Sequence, residues 1–120
     1  YMGSSTLISP ASGIWSFGET GYYRIYSQLY LYTGASPYNY VSIWATHNNS
    51  TWQEVSTATT DMYVAGSESS ANTECLFKIT DLTNQKFKIK TTFQGGSGVQ
   101  AFGHADISRS KVSAIKLGNV

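Results

Sequence analysis

The sequence is short of charge, thiols and histidine. Asp, Glu, Lys and Arg make only 12% of the 120 residues and the formal net charge is +1, so no nucleic acid or anionic membrane partner is indicated. A single cysteine, Cys75, rules out an internal disulfide. It shares an alternating run with Phe77 and Ile79, where a thiol behaves as a small hydrophobe. The two histidines, His47 and His104, stand far apart without acidic or thiol neighbours at ligand spacing, whereas a zinc site takes about three or four such groups. Glu19, Glu54, Asp61, Glu68, Glu74, Asp81 and Asp106 are scattered singly, with neither a calcium-loop spacing nor an evident carboxylate pair for glycoside hydrolysis. No nucleophile elbow occurs, and the "GGSG" run at Gly95–Gly98 precedes no helix, so it reads as a turn rather than a phosphate cradle. Catalytic residues, metal and cofactor are therefore all read as none. No apolar run approaches membrane-spanning length, which argues against membrane insertion. No signal-peptide pattern opens the chain, and starting at Tyr1 it is expected to be the C-terminal head of a longer parent.

What the chain does have is alternation. Apolar residues recur at a spacing of two, and β-branched, aromatic, Gly, Ser and Asn residues fill the remainder, so an all-β domain is predicted over residues 1–120. Strands are expected at about Ser5–Ile8, Ile14–Phe17, Tyr22–Thr33, Tyr40–His47, Gln53–Ser56, Met62–Ala65, Glu74–Asp81, Lys86–Phe93 and Lys111–Leu117. Clusters such as "SPASG", "GETG", "TGASP", "HNNST", "AGSESSAN", "DLTNQ" and "QGGSG" read as the turns between them. Short strands so punctuated, without a repeat, predict a two-sheet antiparallel jelly roll or related sandwich. "CLFKITDLTNQKFKIKTTF" reads as a hairpin with one greasy face and one lysine face. Lys86, Lys88 and Lys90 alternate with Phe87 and Ile89, as the wet face of a strand or as a phosphate or sulfate-sugar patch. Trp44 is either an anchor on the second face or a surface aromatic. Asn48 and Asn49 carry overlapping glycosylation-acceptor patterns, which arise often by chance in a chain this rich in Ser and Thr.

The stretch "YYRIYSQLYLY" holds five of the nine tyrosines. Its odd positions, Tyr23, Ile25, Ser27, Leu29 and Leu31, form an ordinary core face. Its even positions, Tyr22, Arg24, Tyr26, Gln28, Tyr30 and Tyr32, form a stripe of amphipathic rings. Three readings of that stripe stand: burial against other subunits, a carbohydrate-stacking platform, or plain surface.

"GIWSFGETGYYRIYSQLYLY", with Gly13, Trp15, Phe17, Gly21, Tyr23 and Ile25 in place, resembles the most recognisable stretch of the tumour-necrosis-factor (TNF) and complement-globular-head superfamily. "LFKITDLTNQKFKIKTTF" is similar to that family's hairpin of a hydrophobic strand, a polar turn and a second alternating strand, and "SKVSAIKLG", with Ile115 and Leu117, to its final strand. The likeness runs from about Ile8 to Leu117, though the family's aromatic-rich ending is absent. It implies a TNF-like jelly roll assembling as a homotrimer, with the strand after Gly21 facing the threefold axis. Tyr22, Arg24, Tyr26, Gln28 and Tyr30, with Val112 and Ala114 of the final strand, would then form the trimer interface.

Low charge and Ser, Thr, Gly and Asn richness resemble the bacteriophage members of that superfamily. The expectation is a non-enzymatic viral structural protein on the virion surface: a trimeric tail-fibre knob or a capsid decoration, in contact with other virion proteins or a host surface glycan. His47, Asn48, Asn49, Trp52 and Glu68, in the outward loops, are the candidate ligand or receptor contacts. The alternative is a carbohydrate-binding module that stacks sugars on Tyr30, Tyr32, Trp44 or Trp52.

Overall fold

The computed structural model describes residues 8–32, 36–64, 66–94, 100–101 and 110–120, with the side chains of 9, 10, 36, 37, 94, 100 and 101 left aside. Those residues form nine strands: β1 (Ile8–Ala11), β2 (Ile14–Phe17), β3 (Gly21–Tyr32), β4 (Ser36–Thr46), β5 (Gln53–Met62), β6 (Glu68–Ile79), β7 (Lys86–Gln94), β8 (Gln100–Ala101) and β9 (Lys111–Gly118). A five-stranded sheet runs β1-β2-β7-β4-β5, and a four-stranded sheet runs β6-β3-β8 with β9 also on β3. Every pairing is antiparallel. Ser12 and Gly13 join β1 to β2 with φ of 51° and 77°, the paired positive values of a tight hairpin turn whose twist suits the strands it connects. The chain then crosses repeatedly between the sheets, as a jelly roll does.

The odd face of β3 is buried from Tyr23 through Leu31, as its alternation predicts. It packs onto the inward residues of the other sheet in two clusters. One is aromatic: Phe17 lies 4.9 Å from Tyr23 and 5.4 Å from Phe87, with Ile25, Ile43 and Ile79 around them. The second holds Leu29, Leu31, Val41, Met62 and Ala71. Burying each such side chain contributes about 1.5–3 kcal/mol. Tyr23 keeps its hydroxyl satisfied by donating to the Glu19 carbonyl at 2.8 Å. A Cβ on Gly21 would stand 2.7 Å from the Gly118 carbonyl oxygen, so the close approach of β9 to the start of β3 requires glycine there.

The structure corrects three local expectations. β6 and β7 are not a hairpin: β6 pairs with β3, while β7 pairs with β2 and β4. Their greasy stripes meet face to face across the sandwich, with the Phe77 and Phe87 rings 6.1 Å apart, because apolar faces gain more by opposing each other than by lying side by side. The turn between them is built by its own side chains. Asp81 Oδ1 accepts the Thr83 and Asn84 amides at 2.9 and 3.1 Å, and Gln85 Oε1 accepts the Thr80 and Asp81 amides at 2.7 and 2.9 Å. The second correction is β5, which runs unbroken from Gln53 to Met62 instead of stopping at Ser56, while Tyr63 and Val64 of the expected Met62–Ala65 strand lie past its end. The third is that "SESSAN" belongs largely to β6 rather than to a loop. These polar runs hold as strands because their hydroxyls bond across the seam between the sheets: Ser56 with Thr73, and Thr60 with Ser69. Of the other expected segments, Ser5–Leu7, Ala65, Gly95–Gly98, His104 and Asp106 lie outside the described residues.

Candidate functional site

β3 is the middle of its sheet, so its even side chains sit at the centre of an outward face flanked by β6 and β9. The register aligns them in rows. Arg24 stands between Leu76 and Ile115, Tyr26 between Glu74 and Ser113, and Gln28 between Asn72 and Lys111. At the Tyr22 end the face is apolar and open: Leu76 is 70% exposed, Leu117 57%, Ile115 53% and Tyr22 42%. Arg24 lies across it and donates its Nε proton to Glu74 at 2.7 Å, with its Nη2 on the same carboxylate oxygen. This pair is half in water and adds little stability by itself, but it fixes the guanidinium in one orientation.

Toward Tyr30 the face becomes a hydrogen-bonded network. Tyr26 donates to Gln28 Oε1 at 3.0 Å and accepts from Asn72 Nδ2 at 3.2 Å. The Lys111 ammonium lies 5.6 Å from the centre of the Tyr26 ring. Tyr30 donates its hydroxyl proton to Glu68, and its backbone N–H donates to Ser110 Oγ at 3.1 Å. Tyr26, Gln28 and Tyr30 are half-buried, so the rings lie along the sheet rather than standing into solvent.

Two of the expected face residues point elsewhere. Val112 and Ala114 turn inward against the aromatic cluster, because Ala114 is opposite buried Ile25 and Val112 opposite buried Ser27. The outward residues of β9 are Lys111, Ser113, Ile115 and Leu117. The strand's own alternation puts Ile115 and Leu117 on one parity and Val112 and Ala114 on the other, but only the register with β3 says which parity faces out.

The candidate contact residues are not brought together. His47, Asn48 and Asn49 are exposed in the turn after β4, where Asn48 Oδ1 accepts the Ser50 and Thr51 amides at 3.0 and 2.8 Å and Asn49 takes a φ of 56°. Glu68 instead begins β6, beside Tyr32, about 30 Å from the His47 end of that strand. Trp52 is half-buried beneath Lys88, whose ammonium lies 4.2 Å from its ring. Trp44 has Lys90 over it at 4.4 Å, which places it on the outer face of the five-stranded sheet.

Chemistry is sparse elsewhere. A cleft of about 260 Å³ between β6 and the end of β4 includes Cys75, His47 and Gln85 among its walls. Burial pushes the Cys75 thiol up, partly offset by a backbone hydrogen bond at Leu76, and a raised pKa disfavours the nucleophilic thiolate. Among the described residues no group of His, Cys, Asp or Glu is arranged to hold a metal.

The geometry defines the class: an all-β sandwich of two antiparallel sheets wound as a jelly roll. Its particular form is TNF-like. The chain superposes on Eiger TNF from S. frugiperda with a TM-score of 0.72, at 14% identity, covering 94% of this chain and 70% of that one. Murine APRIL at pH 5.0 gives a TM-score of 0.68 at 13% identity, covering 92% of this chain and 78% of that one. Murine APRIL at pH 8.0 gives 0.65, also at 13% identity, covering 92% and 75%. No protein-family model and no curated protein matches the chain.

Proposed function

We propose that this domain is a non-enzymatic interaction head that assembles as a homotrimer through the outer face of its four-stranded sheet. The observation that carries the reading is the exposed apolar group Leu76, Ile115, Leu117 and Tyr22, aligned on three adjacent strands around Arg24. Contiguous apolar surface of this kind is rare on soluble monomers without an interaction to cover it. Identical chains meeting around a threefold bury it with one repeated contact. Low charge and Ser and Thr richness support a place on a virion, as a fibre knob or capsid decoration in contact with a host surface glycan or a neighbouring virion protein. A parent chain with triple-stranded fibre segments ahead of this domain points to the knob, and a short anchoring arm to decoration.

Light scattering after size exclusion tests the assembly. The expected mass is three times the 13.1 kDa of one chain. A single-chain mass at micromolar concentration overturns the reading and favours a monomeric carbohydrate-binding module. Against that module, Trp44 and Trp52 each carry an ammonium over the ring, and the Tyr30 hydroxyl is engaged by Glu68. Neither indole therefore offers an open ring face to a neutral sugar.

A further inference from the structure

Lys86, Lys88 and Lys90 follow one another on the outer face of β7, whose inward residue Phe87 is fully buried. Residues two apart on a strand are separated by about 6.7 Å, so the three ammoniums form a row along the middle of the five-stranded sheet. Their cross-strand neighbours are Ser16 and Thr46 for Lys86, Ile14 and Trp44 for Lys88, and Ser42 for Lys90. None is acidic. Among the described residues no carboxylate oxygen lies within 4.0 Å of any of the three. Of the carboxylates on this sheet, Glu54 accepts the Ser42 hydroxyl at 3.0 Å, and Asp61, far along β5, accepts the Tyr63 hydroxyl at 3.1 Å. Three of the eight cations of a charge-poor chain are thus held side by side without acidic partners.

The two indoles give the row its geometry. Lys88 Nζ lies 4.2 Å from the Trp52 ring and 5.9 Å from Trp44, and Lys90 Nζ lies 4.4 Å from Trp44. A ring face attracts an ammonium without neutralising it. The lysines therefore lose part of their rotamer freedom before any ligand arrives, which lowers the cost of binding one.

We propose that this ridge is a binding site for a linear acidic polysaccharide, whose repeated carboxylates or sulfates pair with Lys86, Lys88 and Lys90 while Trp44 and Trp52 hold the ammoniums in line. A flat strand with evenly spaced cations suits a polymer lying along it better than a small anion, which needs converging donors. Single-stranded nucleic acid would need open ring faces for base stacking, and both indoles are occupied by lysine. The inference gives a chemical class to the glycan contact of the proposed function and rests on that reading for its biological setting. Physically the ridge lies on the sheet opposite the assembly face, so each can fail without the other. In a trimer three ridges would face outward, and a long polymer spanning two of them gains avidity.

The test is calorimetric titration with a heparin-derived dodecasaccharide, an oligogalacturonate, a neutral dextran oligosaccharide and a twelve-residue oligothymidylate, at about 0.1 M salt, where exposed charges beyond ~10 Å are screened. At least one of the two acidic oligosaccharides should bind and the dextran should not. K88Q/K90Q should weaken that binding at least tenfold, W44L about threefold with the charge unchanged, and K78Q, on the other sheet, less than twofold, all with the wild-type far-UV spectrum. The proposal is overturned if neither acidic oligosaccharide binds, if oligothymidylate binds as tightly, if W44L binds as well as wild type, or if K78Q loses as much as K88Q/K90Q. A single-chain mass with binding intact would sink the trimer and keep the ridge, and a trimer that ignores both acids would do the reverse.

Discussion

On the outer face of the four-stranded sheet, Leu76, Ile115 and Leu117 stand in water beside Tyr22. On the outer face of the five-stranded sheet, the large apolar groups Trp44 and Trp52 are half-buried under lysine stems and ammoniums. Both faces come from the same two-residue alternation, and both put aromatic rings outward. They differ in what covers the apolar area. One sheet shields its two indoles with its own chain, since a lysine stem lies along apolar surface while its head stays wet. The other leaves aliphatic side chains bare at its Tyr22 end beside the Arg24–Glu74 pair, and its lysine cover, Lys111 over Tyr26, lies farther along. A face that covers itself is finished as a surface, whereas the uncovered one is the face on which the proposed assembly rests.

The sharpest way to break this contrast is to place one negative charge on each face. Tyr26→Asp sets a carboxylate at the centre of the four-stranded sheet, where three copies would crowd around the threefold. Loss of the trimer is expected, with light scattering returning the single-chain mass and circular dichroism still showing a folded β protein. Thr92→Asp, exposed on β7 of the opposite sheet, should leave the trimer intact. A trimeric Tyr26→Asp protein would show that the assembly face is misplaced.

The next effect is smaller. Leu76→Ser with Ile115→Ser removes two bare aliphatics that flank Arg24. Burial of each in an interface is worth about 1.5–3 kcal/mol, so dilution should dissociate the variant at a concentration at least tenfold higher than wild type. Exposed positions cost within about 0.5 kcal/mol in the lone chain, so the monomer's melting temperature should hardly move. A fall in monomer stability with unchanged dissociation would mean that these side chains serve the fold instead.

A third substitution asks whether the two sheets can be perturbed separately, since they share the seam where β5 meets β6. Thr73→Val strands the Ser56 hydroxyl in a half-buried site. That should cost about 1–3 kcal/mol in urea unfolding, and adding Ser56→Ala should recover most of it. Failure of the second change to recover stability would show that the hydroxyl pair is not what closes the seam.

This seam also marks the limit of what the sequence discloses. β3 is legible because six odd positions from Gly21 to Leu31 are buried without exception, and alternation of that strength fixes facing from sequence alone. β5 beyond Ser56 and the first half of β6 are written mostly in small polar residues, so they carry little hydrophobic period and do not read as strand. β5 takes its strand character from the preceding β4 and β6 from the distant β3, which their own residues do not announce. The link from β6 to β7 misleads for a related reason. Two greasy strands joined by a short polar turn look alike whether they pair in one sheet or oppose each other in two, and Phe77 against Phe87 decides that only in three dimensions. For the candidate site, the even stripe of β3 was readable. Its apolar neighbours Leu76, Ile115 and Leu117 were not assigned to it, because neighbour strands are set by register. Inverting the parity of β9 put Val112 and Ala114 outward in their place.

The corner between β6 and β7 joins the two faces, and the smallest expected effect lies there. Asp81 accepts the Thr83 and Asn84 amides, and its Oδ2 accepts Asn84 Nδ2 at 2.8 Å. The Asn84 bonds, side chain first, hold the carboxyl below its ordinary value. A group whose folded pKa is depressed contributes stability that is fully present above its unfolded value, and that contribution is lost as pH falls through the folded value. Asp81→Asn keeps the shape and one acceptor oxygen but removes the charge. The variant should therefore melt a few degrees lower at pH 7, and the gap to wild type should close below about pH 4, the ordinary carboxylate range. Assembly and ridge should be untouched at pH 7, because neither face contains Asp81. A gap that stayed constant from pH 7 to pH 3 would assign the loss to geometry rather than to the charge, and dissociation of the trimer in the same variant would show that the corner and the assembly face are coupled.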